Sequence, residues 1–246
     1  MEMEREIQKL VSQISKKFSG KGELLYLSLV GNYVFGWGKK EFSQEVYGIF
    51  ALPNFWDKVY LHLPKFYVTL FNLEHLINHE FKTPENLKVF AKCSLNFANP
   101  IYIHKKFDFK TLFSFFKPSI VLTKPTLYFD FVYFPFSIDG VLRYYHFLLC
   151  AIYFLKTKKL ELNLFELEKK NGYKFPILRK LKKLFLATFE GGKVAPLSFE
   201  EKMEIKNNLD TLFKDFTELK AKTKKEEIDL EKFENWKERM RKTFLK

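Results

Sequence analysis

The chain has 246 residues, 47% hydrophobic and 29% charged, which places it among globular proteins and allows one large domain or two small ones. Its 42 Lys and Arg against 29 Asp and Glu leave a formal net charge of +13, which favours a polyanionic partner, nucleic acid first and an anionic membrane surface second. No apolar run reaches the roughly 18 residues of a membrane span, and the charged start MEMEREIQKL is not a signal peptide, so a cytoplasmic location is expected.

Residues 2–18 set Ile7, Leu10, Val11, Ile14 and Phe18 on one helical face, and Ser19-Gly20-Lys21-Gly22 ends that helix. Leu24 to Val30 is apolar apart from Ser28 and reads as a buried strand. Gly31, Gly36 and Gly38 mark tight turns or a close approach of the backbone to another group. Val46 to Leu52 is the next strand, ended by Pro53. Strand, glycine turn, short helix and strand together build a corner where a phosphate can approach a sheet.

Val59 to Leu63 predicts a short strand stopped by Pro64, and Phe66 to His79 a helix or a strand followed by a helix. His75 and His79 have metal-ligand spacing, but no zinc motif surrounds them and a chance pair is expected. Pro84 and Glu85 open a further helix. From Tyr102 to Phe136 aromatics alternate with other residues, which predicts strands or a clamped loop. Lys105, Lys106, Lys110, Lys117 and Lys124 lie among those rings, an arrangement that suits base stacking and phosphate neutralisation, although phenylalanines also pack cores.

Gly140 opens a helical part. Val141 to Lys156 is a long helix, Leu178 to Phe189 another, and Ser198 with Glu201 has the capping-box spacing before a helix through Leu219. The tail from Lys220 to Lys246 is charge-dense, with Ile228, Phe233, Trp236, Met240 and Phe244 suited to an amphipathic helix that docks on the body or on a protein partner. The expected divisions are residues 1–139, 140–222 and 223–246. Cys93 and Cys150 read as buried free thiols, and abundant Lys with Glu is compatible with a thermophile.

Several of these stretches resemble one family. Gly31-Asn32-Tyr33-Val34-Phe35-Gly36 and Ser43 through Pro53 look like the opening motifs G-S-x-A-Y-G and S-D-x-D-x-R-G-V-x-x-x-P of predicted nucleotidyltransferases in the DNA polymerase beta superfamily. Leu87-Lys88-Val89-Phe90-Ala91 with Leu95 and Asn99-Pro100 resembles the family's L-R-K-F-L helix and G-N-P. Arg143, Tyr144 and His146 resemble part of its K-H-A-x-H-x-x-R helix, and residues 178–193 its L-L-x-I-R-x-G segment. The motifs follow one another in family order from residue 24 to residue 220.

The resemblance implies an α+β fold, a small mixed sheet flanked by helices and followed by a helical bundle, with Gly31, Asn32, Ser43, Arg143 and His146 around a nucleotide pocket. In the family, two motif aspartates hold two divalent cations. Here Gln44 and Val46 stand in their places, and neither an amide nor an isopropyl group supplies the anionic oxygens such cations need. Strand alternation sends Glu45 to the opposite face, and Glu80 lies near the expected third carboxylate, on a strand. The expectation is therefore a catalytically inactive protein without a cofactor that binds nucleic acid or serves in an assembly. Lys39, Lys40, Lys105, Lys106, Lys182 and Lys183 are its candidate phosphate contacts. Two other readings stay open: an active Mg²⁺-dependent transferase drawing on Glu45, Glu80, Asp108 or Asp130, and a viral or host-interaction protein with no enzymatic ancestry.

Overall fold

A computed structural model of the chain describes residues 2–40, 44–52, 57–80, 82, 95, 97–122, 137–192, 196–223 and 229–245. Ser43, Cys93, Asp130, Lys124 and the Leu87–Ala91 motif lie outside the described residues. The fold is mixed α+β, a five-stranded sheet with flanking and C-terminal helices. The chain divides into two compact units, each discontinuous in sequence: Met1–Gly31 with Ser43–Thr123 and Glu226–Lys246, and Asn32–Phe42 with Lys124–Lys225.

The first unit opens with helix α1 (Glu2–Phe18), whose Leu10, Ile14 and Phe18 are buried. Strands β1 (Glu23–Val30), β2 (Gln44–Ala51), β3 (Lys58–Leu63) and β4 (Phe66–Asn72) follow, then helix α2 (Leu73–His75), a π-helical turn (Leu76–Glu80) and strand β5 (Pro100–Ile103). The sheet order is β3-β4-β2-β1-β5. β1 pairs antiparallel with β2 and β5, β4 pairs antiparallel with β3, and β2 runs parallel to β4.

Two faces follow from this register. Phe18 of α1 stacks on Phe50 with ring centroids 4.7 Å apart, so alternation puts Gln44, Val46 and Gly48 on the α1 face of β2. The opposite face carries Tyr26, Ile49 and Phe71 into a core completed by Leu112 and Phe115 of helix α3 (Phe109–Leu122) and by Phe233, Trp236 and Met240 of helix α8 (Leu230–Phe244). The charge-dense tail thus docks on the sheet. Trp236 donates its indole N–H to the Asp108 carbonyl at 2.9 Å, and Arg239 pairs with the Asp108 carboxylate.

The second unit is built around helix α4 (Ile138–Thr157), capped by Ser137 and packed against α5 (Leu164–Lys170), α6 (Ile177–Phe189) and α7 (Phe199–Lys222). The Ser198–Glu201 capping box forms in both directions. Asn163 caps α5 by accepting from the N–H groups of Phe165 and Glu166.

Four sequence expectations need correction. Phe109–Leu122 is helical, not strand or loop, because Phe109, Leu112 and Phe115 share one buried face. Glu80 ends a π-helical turn and is not on a strand. Among the described residues, 31–40 form turns without the short helix expected there. Ile138–Thr157 does reach the length and apolarity of a membrane span; in this fold 67% of that window is buried.

Candidate functional site

At the corner opened by β1, the residues at the family's metal positions point into the fold. Gln44 is 4% exposed and Val46 fully buried, both on the face covered by α1. Glu45 points to the other face and lies against Gly31. Gly31 has φ +86°, and a Cβ there would sit 3.0 Å from the Glu45 carboxyl carbon. The left-handed backbone favours glycine, and a Cβ would also press on the Glu45 side chain.

Two acids of the relocated-site reading, Glu80 and Asp108, are separately engaged. Glu80 Oε1 is 3.8 Å from His75 Nε2, while His75 Nδ1 is 2.8 Å from Asp57 and the His75 ring stacks on His79 at 4.6 Å. Burial by itself would push Asp108 up, but hydrogen bonds from Thr111 and the Arg239 charge outweigh it and hold the carboxyl below its ordinary value. No group of three or more His, Cys, Asp or Glu among the described residues is placed to hold a metal ion.

The glycine loop is fastened within the second unit. The Asn32 carbonyl accepts from the N–H groups of Trp37 and Gly38 at 2.9 and 2.7 Å. Arg143 donates from Nε to Asp139 at 2.7 Å and from Nη2 to the Asn32 side-chain oxygen at 3.0 Å. Trp37 donates its indole N–H to the other Asp139 oxygen at 3.2 Å. Lys182 donates to the Gly36 carbonyl at 2.7 Å, and its desolvated ammonium has a lowered pKa. Asn32, Arg143 and Lys182, singled out separately in the sequence, therefore meet here. Their polar atoms hold the loop. His146 lies beneath it, 3% exposed, with its ring centroid 4.4 Å from Phe35 and 5.6 Å from Trp37.

The other predicted cations fall in both units: Lys105 and Lys106 after β5, Lys39 and Lys40 in the loop, Lys183 on α6. Lys39 pairs with Glu190. By sequence, the second unit holds 22 Lys and Arg against 13 Asp and Glu, and the first holds 20 against 16, so most of the net charge belongs to the helical unit.

Residues Lys156 through Lys183 concentrate it, with ten Lys and Arg against three Asp and Glu. α6 buries Ile177, Leu178, Leu181 and Phe185, and this turns Arg179, Lys180 and Lys183 outward. Two of the three acids, Glu161 and Glu168, are engaged within the segment. Glu161 pairs with Lys170, and burial that would raise its pKa is outweighed by Lys170 and the N–H groups of Asn163 and Leu162. Glu168 is 2% exposed and pairs with Arg179, while Glu166, in the first turn of α5, is exposed. Lys159, Lys169, Lys174 and Lys183 are exposed and form no ion pair among the described residues. The sequence reading names only Lys182 and Lys183 from this segment, although its whole excess of cations is countable there.

No known protein-family profile matches the chain, and no curated protein matches it either.

Proposed function

We propose that this is a non-catalytic nucleic-acid-binding protein whose helical unit supplies the phosphate-contacting surface. The excess of ten cations over three anions between Lys156 and Lys183 carries the reading. Lysine ammonium groups neutralise phosphates as point charges and release condensed counterions, whatever the base sequence. The neutral, buried Gln44 and Val46 support the non-catalytic half, because a two-cation phosphoryl-transfer centre needs anionic oxygens open to substrate. They are also what a retired nucleotidyltransferase would show.

The test is fluorescence anisotropy with labelled DNA and RNA oligonucleotides over a range of salt. Binding should weaken steeply with salt. Changing Lys159, Lys169, Lys174 and Lys183 to Gln together should reduce the log–log slope by roughly 0.7 per lost contact on single strands and 0.9 on duplex. Absence of binding at low salt overturns the proposal. Incorporation of labelled nucleotide with Mg²⁺ or Mn²⁺ overturns its non-catalytic half.

A further inference from the structure

One face of the sheet in the first unit is open at the β3–β4 edge, and its chemistry differs from that of the lysine-rich helices. The register pairs His62 with Tyr67, Tyr60 with Thr69 and Lys58 with Phe71. Alternation puts all six side chains on one face. At the Phe71 end that face is closed by the core, and Lys58 Nζ lies 5.1 Å from the Phe71 ring centroid. Beyond it, Tyr60 is 66% and Tyr67 50% exposed, a large exposure for rings that usually find cover. The two tyrosines are diagonal neighbours across the strand pair, roughly 7–8 Å apart by that geometry. The His62 ring stands edge-on to Tyr67 at 5.1 Å and 87°.

We infer that Tyr60 and Tyr67 form a platform on which successive bases of a single-stranded nucleic acid stack. The inference rests on the nucleic-acid-binding reading above and adds to it a strandedness and a second surface. Two features fit this occupant. First, the exposed area is two aromatic rings set among polar Thr69 and His62, and every base offers a π-face to a ring. Second, the charges around the platform are ordered. Lys58 begins β3 at the sheet edge next to Asp57, whose carboxylate lies 2.8 Å from His75 Nδ1, and Lys65, paired with Glu6, lies in the β3–β4 turn. On the inner side Glu45 stands opposite Tyr67 on β2. A strand whose phosphates follow the β3 edge meets the cations and turns its bases inward, where the Glu45 carboxylate accepts from an exocyclic amino group rather than facing a phosphate.

The experiment compares wild-type protein with Tyr60→Ala/Tyr67→Ala and Tyr60→Phe/Tyr67→Phe in anisotropy titrations, using a fluorescein-labelled 12-nucleotide single strand and a hairpin duplex. Circular dichroism verifies the fold of each variant. Loss of both rings should weaken single-strand binding roughly tenfold or more, leave duplex binding and the salt slope unchanged, and be reversed by the Phe pair. If wild-type protein binds and the Ala pair binds the single strand equally well, the platform is refuted while the phosphate-binding reading stands. If wild-type protein binds neither probe at low salt, the underlying reading has failed and the platform with it. Should the Ala pair instead change the oligomeric state in light scattering with single-strand affinity intact, the face is a protein interface and the inference is wrong.

Discussion

The imidazole of His146 donates from Nε2 to the Leu162 carbonyl at 2.6 Å, a contact that fixes the tautomer because a carbonyl can only accept. Burial, opposed by that hydrogen bond, lowers the histidine pKa to about 4; the Arg143 charge adds to the lowering and Glu161 opposes it. The unfolded chain has the ordinary value near 6.5, so between pH 6.5 and 4 it binds a proton that the folded state refuses. This contribution to stability is therefore complete above pH 6.5 and is lost as pH falls toward 4, by an amount on the order of 3 kcal/mol. Urea unfolding followed by circular dichroism should show this decline. In His146→Gln, which keeps a donor to Leu162 and does not titrate, the decline should be shallower; an identical pH profile would contradict the assignment.

Helix α8 should be required by the sheet. Trp236 is 1% exposed within the core that also holds Tyr26, Ile49 and Phe71, and its indole N–H bonds to the Asp108 carbonyl. Trp236→Ala removes a large buried ring and leaves that carbonyl without its donor, at a cost of ~3–5 kcal/mol. Lys232→Ala, on an exposed position of the same helix, should cost less than ~0.5 kcal/mol. Urea midpoints of the two variants measure the contrast. A free-standing tail would give two near-zero values.

Periodicity made most of the elements legible. The five apolar residues assigned to α1 share one face, and the helix ends at Phe18. The Ser198–Glu201 signal located the start of α7 because a capping box is a local device with fixed spacing. The passage after β5 was misread because aromatic alternation over a few residues fits a strand as well as a helix, and only packing against α8 decides between them. Glu80 was misplaced for a related reason: a strand that passes into a π-turn has no sequence signature of its own. The site was legible only in part. Asn32, Arg143 and Lys182 could be named singly, but their meeting depends on loop-to-helix distances that no local pattern encodes. The exposure of Tyr60 and Tyr67 is not legible in the sequence, because an exposed ring and a core ring are the same letter until the strand register is known.

Gly48 should tolerate no side chain. A Cβ there would lie 2.6 Å from the Tyr26 carbonyl oxygen, 2.6 Å from Leu27 Cδ2 and 2.7 Å from Leu70 Cδ2. One of these neighbours is backbone in the adjacent strand and cannot rotate away. Gly48→Ala should thus destabilise the protein by ~1–3 kcal/mol through overpacking, although alanine suits a strand better than glycine does in open surroundings. An increased melting temperature for this variant would contradict the close packing of β1, β2 and β4.

Stability and binding should separate at Glu168. This carboxylate is 2% exposed, accepts from the Phe175 N–H and holds the Arg179 guanidinium at 2.7 Å, while the Arg179 side chain is 54% exposed to water. Water screens the charge pair, so the buried N–H accounts for more of the cost of losing it. Glu168→Gln keeps an acceptor for Phe175 and should cost about 1 kcal/mol. Glu168→Ala strands the N–H in a buried site and should cost ~2–4 kcal/mol. Both variants release Arg179 into the cation-rich segment and remove one negative charge from it. Each should therefore bind an oligonucleotide several-fold more tightly at low salt, with the gain disappearing as salt screens it. Urea midpoints and anisotropy titrations on the same preparations measure the two effects. Weaker binding that follows the stability loss would mean that Arg179 and its neighbours face no phosphate.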